Sequence, residues 1–177
     1  MHEQSVQKVA DATAQIAIQE TRLGKMAVMP EMEHPSGLLS ELIVELNRLA
    51  ADVAARSYSP YSRFRVGAAL LLSVGDDGED KIVTGCNVEN ASFRLTTCAE
   101  QSAIATAVAM YGPGIKILAV AVANLNGAAS MPCGACRQTI LEFSTDETWV
   151  FYPGEKGVAQ EATLAALIPA AFRLEQG

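Results

Sequence analysis

The sequence predicts an α/β protein with a three-layer α/β/α architecture, in which helices cover both faces of a central sheet. Segments with strand-like patterns alternate along the chain with segments of helical periodicity, and this alternation is typical of the class. The chain has 177 residues, of which 50% are hydrophobic. A chain of this length and composition is expected to form one domain, with a sizeable core that needs no disulfide bonds.

The first 35 residues differ in character from the rest of the chain. Their apolar residues follow a helical spacing that Thr13 interrupts, which predicts a weakly amphipathic helix. Residues 26–37 contain two prolines and one glycine and are typical of a linker. We therefore expect an N-terminal extension over residues 1–35, partly helical or mobile, followed by one domain over residues 36–177.

The first elements of this domain are a helix and a hairpin. A broad apolar stripe predicts the helix from Leu38 to Val53. Strand patterns over 64–73 and 81–86 flank an acidic turn, residues 75–80, and predict the hairpin. Because the turn lacks the ligand spacing and the closing glutamate of an EF-hand, we expect a solvated turn and no calcium site.

The second half of the domain continues the alternation of helices and strands. An alanine-rich helix is predicted over 98–111 and ends at the glycines of residues 112–114. A buried strand, a helix and another strand are predicted over 116–123, 133–143 and 148–152. Thr163 is placed to cap a last short helix that ends before Pro169.

Charge and composition disfavour several classes of partner. Thirteen Lys and Arg against 20 Asp and Glu give a formal net charge of −7, which argues against binding to nucleic acids or anionic membranes. The two histidines, His2 and His34, lie near the start, so we expect no histidine-based centre in the domain. The sequence contains no apolar run of membrane-spanning length and no recognisable signal peptide. We expect a cytoplasmic protein whose cysteines are reduced.

Three of the four cysteines form a pattern that is typical of a metal site. Cys98 opens one predicted helix, and Cys133 and Cys136 open the next. Two cysteines separated by two residues at a helix start present both sulfurs to one ion. Three protein ligands with one open position are the arrangement of catalytic zinc. The helix N-termini offset part of the excess negative charge of three thiolates.

Glu100 follows Cys98 by two residues and is expected to face the open position without binding the metal. There it could take a proton from the activated water and pass it to a substrate. A redox pair is an alternative for the Cys-x-x-Cys sequence, but this pair lies deep in the chain and occurs together with Cys98. A structural zinc knot would use four ligands, and the remaining Cys86 ends a strand, where a small apolar role is expected.

The sequence resembles the cytidine deaminase family over residues 38–172. The resemblance rests on motifs in the family's order: residues 59–64 (SPYSRF), 66–70 (VGAAL), 85–91 (GCNVENA), 98–100 (CAE), 132–138 (PCGACRQ) and 167–172 (LIPAAF). Zinc deaminases carry His-x-Glu followed by Pro-Cys-x-x-Cys, and a cysteine replaces the histidine here. The sequence is thus similar to the small, homotetrameric three-cysteine class. The resemblance implies that family's fold, with a central mixed five-stranded sheet.

The resemblance also implies a zinc-dependent hydrolysis. Cys98, Cys133 and Cys136 would bind one Zn²⁺ per subunit. Glu100 would shuttle protons while hydroxide attacks C4 of cytosine and ammonia leaves. Phe172 would reach the site of a neighbouring subunit in a homotetramer with shared active sites.

A second group of residues would bind the nucleoside, if the family's roles are carried over. Asn87 and Glu89 would hydrogen-bond the ribose 3′-hydroxyl. Phe64 would pack on the base. The backbone of Ala91 and the carbonyl of Met131 would contact the pyrimidine edge and its amino group.

The sequence departs from the family's pattern next to the predicted zinc ligands. Many three-cysteine members have an arginine directly after Cys-Ala-Glu, where this chain has Gln101. The site should then be more negative, and Arg94 or Arg137 are candidates to compensate that charge. Phe93 stands where relatives often have a tyrosine near the sugar.

The activity that the resemblance implies is deamination of free cytidine and deoxycytidine in pyrimidine salvage. One alternative is a deaminase of modified cytidines or of a cytosine nucleoside antibiotic such as blasticidin S. Another is a zinc-containing or nucleoside-binding module without catalysis, which the presence of Glu100 disfavours. Asn87 and Glu89 favour a substrate with a ribose.

Overall fold

The computed structural model describes residues 34–38, 40–74 and 79–174. The helix expected near Val6–Ala17 and most of the acidic turn, residues 75–78, lie outside this described part. Within it, helices and strands alternate in the following order: α1 Ser40–Ala54, β1 Val66–Val74, β2 Glu79–Cys86, α2 Ala99–Tyr111, β3 Lys116–Asn124, α3 Gly134–Glu142, β4 Ser144–Pro153, β5 Ala159–Thr163 and α4 Leu164–Leu167. Two short 3₁₀ turns cover Phe93–Leu95 and Glu155–Gly157.

The five strands form one mixed sheet in the order β2-β1-β3-β4-β5. β3 and β4 run parallel, and the other neighbouring pairs are antiparallel. The start of β1 and the ends of β2, β3 and β4 therefore meet at the same edge of the sheet. The loops before α2 and α3 both leave from this edge, so it carries the N-termini of these two helices.

Successive side chains of β1 pack into two separate cores, one on each face of the sheet. Ala69 and Leu71 pack with Leu46 and Leu49 of α1. On the other face, Leu70 belongs to the core that includes buried residues of α2, α3 and α4. Both faces are covered by helices, which confirms the predicted three-layer α/β/α fold with a mixed five-stranded sheet.

Two features of the sheet were not predicted from the residue pattern. β5 has an exposed, polar sequence without an apolar run, and it forms because its backbone pairs with the edge of β4. β4 begins at Ser144, earlier than predicted. Its first residues are polar and mostly exposed, so their sequence gave no strand pattern. Backbone pairing with a neighbouring strand determines both the formation of β5 and the start of β4, and the pattern of side chains does not reveal such pairing.

The remaining elements agree with the predicted ones within a few residues. The predicted cap is present at Thr163, whose side chain accepts a hydrogen bond from the amide of Ala166. None of the described helices is long and apolar enough to cross a membrane.

Candidate metal centre

Three cysteines lie at the N-termini of α2 and α3, on the same face of the sheet. Cys98 directly precedes α2 and Cys133 directly precedes α3, each with an extended backbone. Cys136 is the third residue of α3, and its amide donates a hydrogen bond to Sγ of Cys133 at 3.4 Å. The three sulfurs thus lie together at the N-termini of two helices, where the helix dipoles have their positive ends.

The sulfur atoms of Cys98, Cys133 and Cys136 all lie within 4.8 Å of one another. Zinc–sulfur bonds of about 2.3 Å in a tetrahedral site separate the sulfurs by about 3.8 Å. Small side-chain shifts therefore let one zinc ion bind all three. In the described part of the chain the cluster has these three ligands, which leaves a tetrahedral ion one open position.

The thiols of the cluster interact strongly with one another. A hydrogen bond from Cys136, assisted by a weaker one from Cys133, lowers the pKa of Cys98 to about 7. The interaction with Cys98 and burial raise the pKa of Cys136. Metal binding releases the protons that these thiols still carry, because zinc binds thiolates.

Glu100 lies in the first turn of α2 and is 4% exposed. Burial raises the pKa of its carboxyl group, while hydrogen bonds from its own amide and from the thiol of Cys136 act in the opposite direction. The contact with Cys136 places the carboxyl group beside the sulfur cluster. A buried carboxyl group next to a metal site is suited to accept and release a proton.

A short backbone pairing connects the segment after β2 with the start of α2. Val88 and Thr97 donate hydrogen bonds to each other's carbonyl oxygens, both with N–O distances of 3.0 Å. Thr97 directly precedes Cys98, and Val88 lies between Asn87 and Glu89. The structure thereby brings the two predicted ribose contacts next to the helix that carries Glu100.

The side chain of Asn87 is 7% exposed and bonded to the loop before β1. Its Oδ1 accepts hydrogen bonds from the Val66 amide at 2.9 Å and the Ser57 hydroxyl at 2.5 Å. Its Nδ2 donates to the carbonyl of Phe64 at 2.9 Å. These contacts use one of the two Nδ2 hydrogens, so the amide retains one donor.

Glu89 is 8% exposed and accepts hydrogen bonds from the segment before β1. One oxygen accepts from the amides of Tyr61 at 3.0 Å and Ser62 at 3.2 Å, and the other accepts from the Ser62 hydroxyl. The Ser62 hydroxyl is the main cause of the lowered pKa of Glu89. Burial raises this pKa, and the two amides lower it further. Glu89 is therefore an anion at neutral pH and an acceptor for a hydroxyl group.

The three residues predicted to contact the base lie on three loops. Phe64 is half-buried and lies just before β1, where its carbonyl is bound by Asn87. Ala91 is exposed and follows Glu89 by two residues. Met131 is 46% exposed and precedes α3. The loops of Phe64 and Met131 leave the same edge of the sheet as the loop of Ala91.

Arg137 of α3 has hydrogen-bond partners other than the cysteine sulfurs. Its guanidinium group donates to the carbonyls of Pro132 at 2.8 Å and Leu167 at 2.7 Å, and to Sδ of Met131 at 2.9 Å. Arg137 thus connects the loop before α3 with α4. Direct hydrogen bonding to the thiolates is not among these contacts, and charge compensation by Arg137 stays a prediction.

The other predicted site residues are Gln101, Arg94 and Phe172. Gln101 follows Glu100 in the first turn of α2 and is half-buried, and Arg94 is exposed in the 3₁₀ turn Phe93–Leu95. Phe172 is 67% exposed, and its carbonyl accepts a hydrogen bond from Nε2 of Gln138 at 2.9 Å. The ring of Phe172 is therefore available on the surface of the chain.

Two serines that bind the predicted ribose contacts, Asn87 and Glu89, were not assigned a role from the sequence. Ser57 precedes its partner Asn87 by 30 residues, and Ser62 precedes its partner Glu89 by 27. Local spacing carries no information on such contacts. The only available signal was that Ser62 belongs to the motif of residues 59–64.

A groove lies on another part of the described surface, away from the cysteines. Its volume is about 1150 Å³, and its lining includes the start of β3, the start of β4 and the end of β5. These strand ends form the edge opposite to the cysteines. None of the predicted catalytic, metal or substrate residues lines this groove.

Comparison with known proteins identifies relatives over most of the chain. The family model of the cytidine and deoxycytidylate deaminase zinc-binding region matches residues 40–152. A cytidine deaminase of Mycobacterium tuberculosis is 44% identical over 126 residues, which are 71% of this chain and 86% of the relative. A cytidine deaminase of Sporosarcina psychrophila is 46% identical over 120 residues, which are 68% of this chain and 83% of the relative.

Solved structures agree with this assignment. The crystal structure of cytidine deaminase from Mycobacterium tuberculosis has a TM-score of 0.62 and 41% identity, covering 75% of this chain and 98% of that chain. The structure of cytidine deaminase from Burkholderia pseudomallei has a TM-score of 0.62 and 38% identity, covering 73% and 98%. The family match and the cysteine cluster together confirm the predicted zinc cofactor and the resemblance, and the chain belongs to the cytidine and deoxycytidylate deaminase family.

Proposed function

We propose that this protein is a zinc-dependent cytidine deaminase, which hydrolyses free cytidine and deoxycytidine to uridine and deoxyuridine. The observation that carries the proposal is the buried carboxyl group of Glu100 beside the cluster of Cys98, Cys133 and Cys136. The relatives that match most of this chain are named cytidine deaminases. They do not favour the alternatives of an antibiotic deaminase or a binding module.

Cys98, Cys133 and Cys136 are the residues that would hold the zinc ion. When bound, zinc supplies a water molecule whose pKa is lowered to about 7 as the nucleophile. The protein contributes a ligand set with one open position, since three sulfurs converge on one point from two helix ends. The dipoles of those ends stabilise the three thiolates.

Glu100 moves the protons of the reaction. Its carboxylate accepts a proton from the attacking water as the water oxygen bonds to C4 of the base. The same carboxyl group returns protons to the substrate, so that the C4–N bond breaks and ammonia leaves. Burial of Glu100 supports this role, because a raised pKa brings the carboxyl group nearer to the working pH.

Asn87 and Glu89 bind the ribose. The ionised carboxylate of Glu89 accepts a hydrogen bond from the 3′-hydroxyl, and the remaining Nδ2 hydrogen of Asn87 is donated to the oxygen of that hydroxyl. Both side chains are nearly buried and held by other residues, so they are oriented before the substrate arrives. This pairing selects a nucleoside over the free base.

Three further residues bind the base. Phe64 packs on the ring, the backbone of Ala91 contacts the pyrimidine edge, and the carbonyl of Met131 accepts from the amino group. The placement of these residues on loops at the same edge of the sheet supports the assignment. Arg137 binds Sδ of Met131 and thereby holds this loop.

The proposed assembly is a homotetramer in which Phe172 completes the site of a neighbouring subunit. The ring of Phe172 is 67% exposed although it is apolar. Further large apolar side chains are exposed near the site: Tyr58, Tyr61, Phe93 and Leu95. A surface of this kind is typical of a protein–protein contact. A tetramer mass in solution, and its loss in Phe172→Ala together with activity, would test this.

The proposed domain organisation has one zinc domain and an N-terminal extension. The contacts of His34 with Trp149 and with Glu161 of β5 support a start of the packed domain at His34, two residues before the predicted boundary. The extension then comprises the residues before His34. We propose a cytoplasmic location and a role in pyrimidine salvage, which suit thiolate ligands and a free nucleoside substrate.

The test of the proposed function combines two measurements on one purified sample. Zinc is quantified per chain, and the absorbance change of cytidine is followed over time. One zinc per chain with turnover of cytidine and deoxycytidine is expected. Zinc without turnover would support a non-catalytic module, and a higher rate with blasticidin S than with cytidine would support the antibiotic deaminase.

A further inference from the structure

Two asparagines from different loops bind the backbone on either side of Phe64. Asn87, after β2, bonds to the Phe64 carbonyl and to the Val66 amide. Asn126 lies in the loop after β3. Its Oδ1 accepts from the Arg65 amide at 2.9 Å, and its Nδ2 donates to the Arg63 carbonyl at 3.0 Å. The two Asn126 contacts enclose Phe64 in the sequence.

The position of Asn126 is itself fixed by its own loop. Oδ1 of Asn124 accepts hydrogen bonds from the amides of Asn126 at 2.9 Å and Ala128 at 3.3 Å. The next backbone contact, from the Leu125 amide to the Arg65 carbonyl at 3.0 Å, joins the same two loops. Asn126 is therefore held in place to act on the segment before β1.

The segment that Asn126 binds contains an unusual backbone conformation. Arg63 has a φ of 59°, in the left-handed region that residues with a Cβ rarely adopt. Such a conformation persists where several neighbouring contacts specify it. The amide of Arg63 bonds to the Ser59 carbonyl at 3.0 Å, and its carbonyl bonds to Asn126. Asn126 thus helps to hold the turn that leads into Phe64.

We propose that Asn126 is a positioning residue for cytidine binding, which fixes the backbone on both sides of Phe64 and thereby the ring that packs on the base. This inference rests on the proposed function, because it takes the role of Phe64 from it. Asn126 is exposed and lies outside both cores, so its removal leaves the fold intact. Its effect passes through Phe64 to the substrate.

The test compares steady-state kinetics of Asn126→Ala with those of the wild type. Phe64 contacts the base in the bound substrate and in the transition state alike. A misplaced ring therefore weakens the binding of both states equally. We expect KM for cytidine to rise by about tenfold and kcat to stay within about twofold. Asn126→Asp, which keeps the acceptor for Arg65 but loses the donor to Arg63, should raise KM as well.

A double-mutant cycle separates positioning from general damage. If Asn126 acts through Phe64, Asn126→Ala causes no further rise of KM when Phe64→Ala is already present. Gln160→Ala removes an exposed amide on β5, which is three strands away from β1 in the sheet, and should match the wild type. Zinc content, measured for every variant, should stay at the wild-type level.

The outcomes distinguish this inference from the proposed function. An unchanged KM in Asn126→Ala and Asn126→Asp, or effects that add fully to those of Phe64→Ala, overturns the inference while the wild type still deaminates cytidine. A zinc-loaded wild type that does not deaminate cytidine overturns the proposed function, and the inference with it.

Discussion

The backbone of Gly85 on β2 lies directly against the backbone of Ala103 on α2. A Cβ atom on Gly85 would lie 2.3 Å from the Ala103 nitrogen and 2.8 Å from the Ala99 carbonyl oxygen. These distances are shorter than any allowed contact. The helix that carries Glu100 therefore lies at its observed distance from the sheet because position 85 has no side chain.

Gly85→Ala is expected to displace α2 and with it Cys98 and Glu100. Overpacking of this kind destabilises a protein by about 1–3 kcal/mol, and the displaced ligand should also weaken zinc binding. Thermal unfolding and zinc titration measure the two effects. Gly114→Ala is the matched control, because a Cβ there meets nothing within 4 Å. Equal stability and zinc affinity of the two variants would refute this account of Gly85.

Ser62→Ala is expected to raise the pKa of Glu89 toward its ordinary value of 4.5, because the Ser62 hydroxyl is the main cause of the lowered pKa. A carboxylate whose pKa is lowered in the folded protein is fully ionised above its unfolded pKa. It loses its charge, and the hydrogen bonds that depend on the charge, as the pH falls through the lowered folded pKa. In the variant, KM for cytidine should therefore begin to rise at a higher pH on acidification. Ser62→Thr, which retains the hydroxyl, should keep the wild-type profile. Identical KM profiles of all three proteins would contradict the prediction.

Gln101→Arg is expected to shift the acid limb of the kcat profile to lower pH. A positive charge in the first turn of α2, beside the three thiolates, stabilises the deprotonated form of the nucleophile relative to its protonated form. The acid limb should therefore move by about 0.5–1 pH unit. Gln101→Met, similar in size and uncharged, separates the charge from the change of shape. An acid limb that does not move in Gln101→Arg would show that charge at this position has no influence on the reaction.

Removal of zinc is expected to make Cys98 reactive. Without metal, its pKa of about 7 gives a substantial thiolate fraction at neutral pH, which falls as pH decreases below that value. Burial raises the pKa of Cys86, so this cysteine serves as an internal control. Mass spectrometry of iodoacetamide-treated protein at two pH values measures both. Equal labelling of Cys98 and Cys86, or labelling of Cys98 that zinc does not suppress, would be inconsistent with the assigned cluster.

The helices around the metal centre could be predicted from the sequence almost to the residue. The predicted spans 98–111 and 133–143 become α2 and α3, with Cys98 and Cys133 directly before their first residues. For α2, the alanine-rich sequence and the glycines of residues 112–114 after its end gave sufficient local information. The assembly of the sulfur cluster followed, because both helices begin at the same edge of the sheet.

Contacts between distant parts of the chain could not be predicted in this way. β5 is polar and forms only because β4 offers an edge to pair with. The hydrogen bonds of Asn126 to the residues around Phe64 span more than sixty positions. No spacing rule relates such residues, since the fold and not the local sequence brings them together.

We infer that Glu100 performs the proton transfers of a zinc-dependent deaminase. Glu100→Gln keeps the size of the side chain and all three cysteines, so the variant should retain one zinc per chain and the wild-type fold. Its kcat for cytidine should fall by at least about 10³-fold, because an amide cannot accept and return the protons that the carboxylate transfers. A zinc-loaded Glu100→Gln variant that deaminates cytidine at a rate close to that of the wild type would contradict the account.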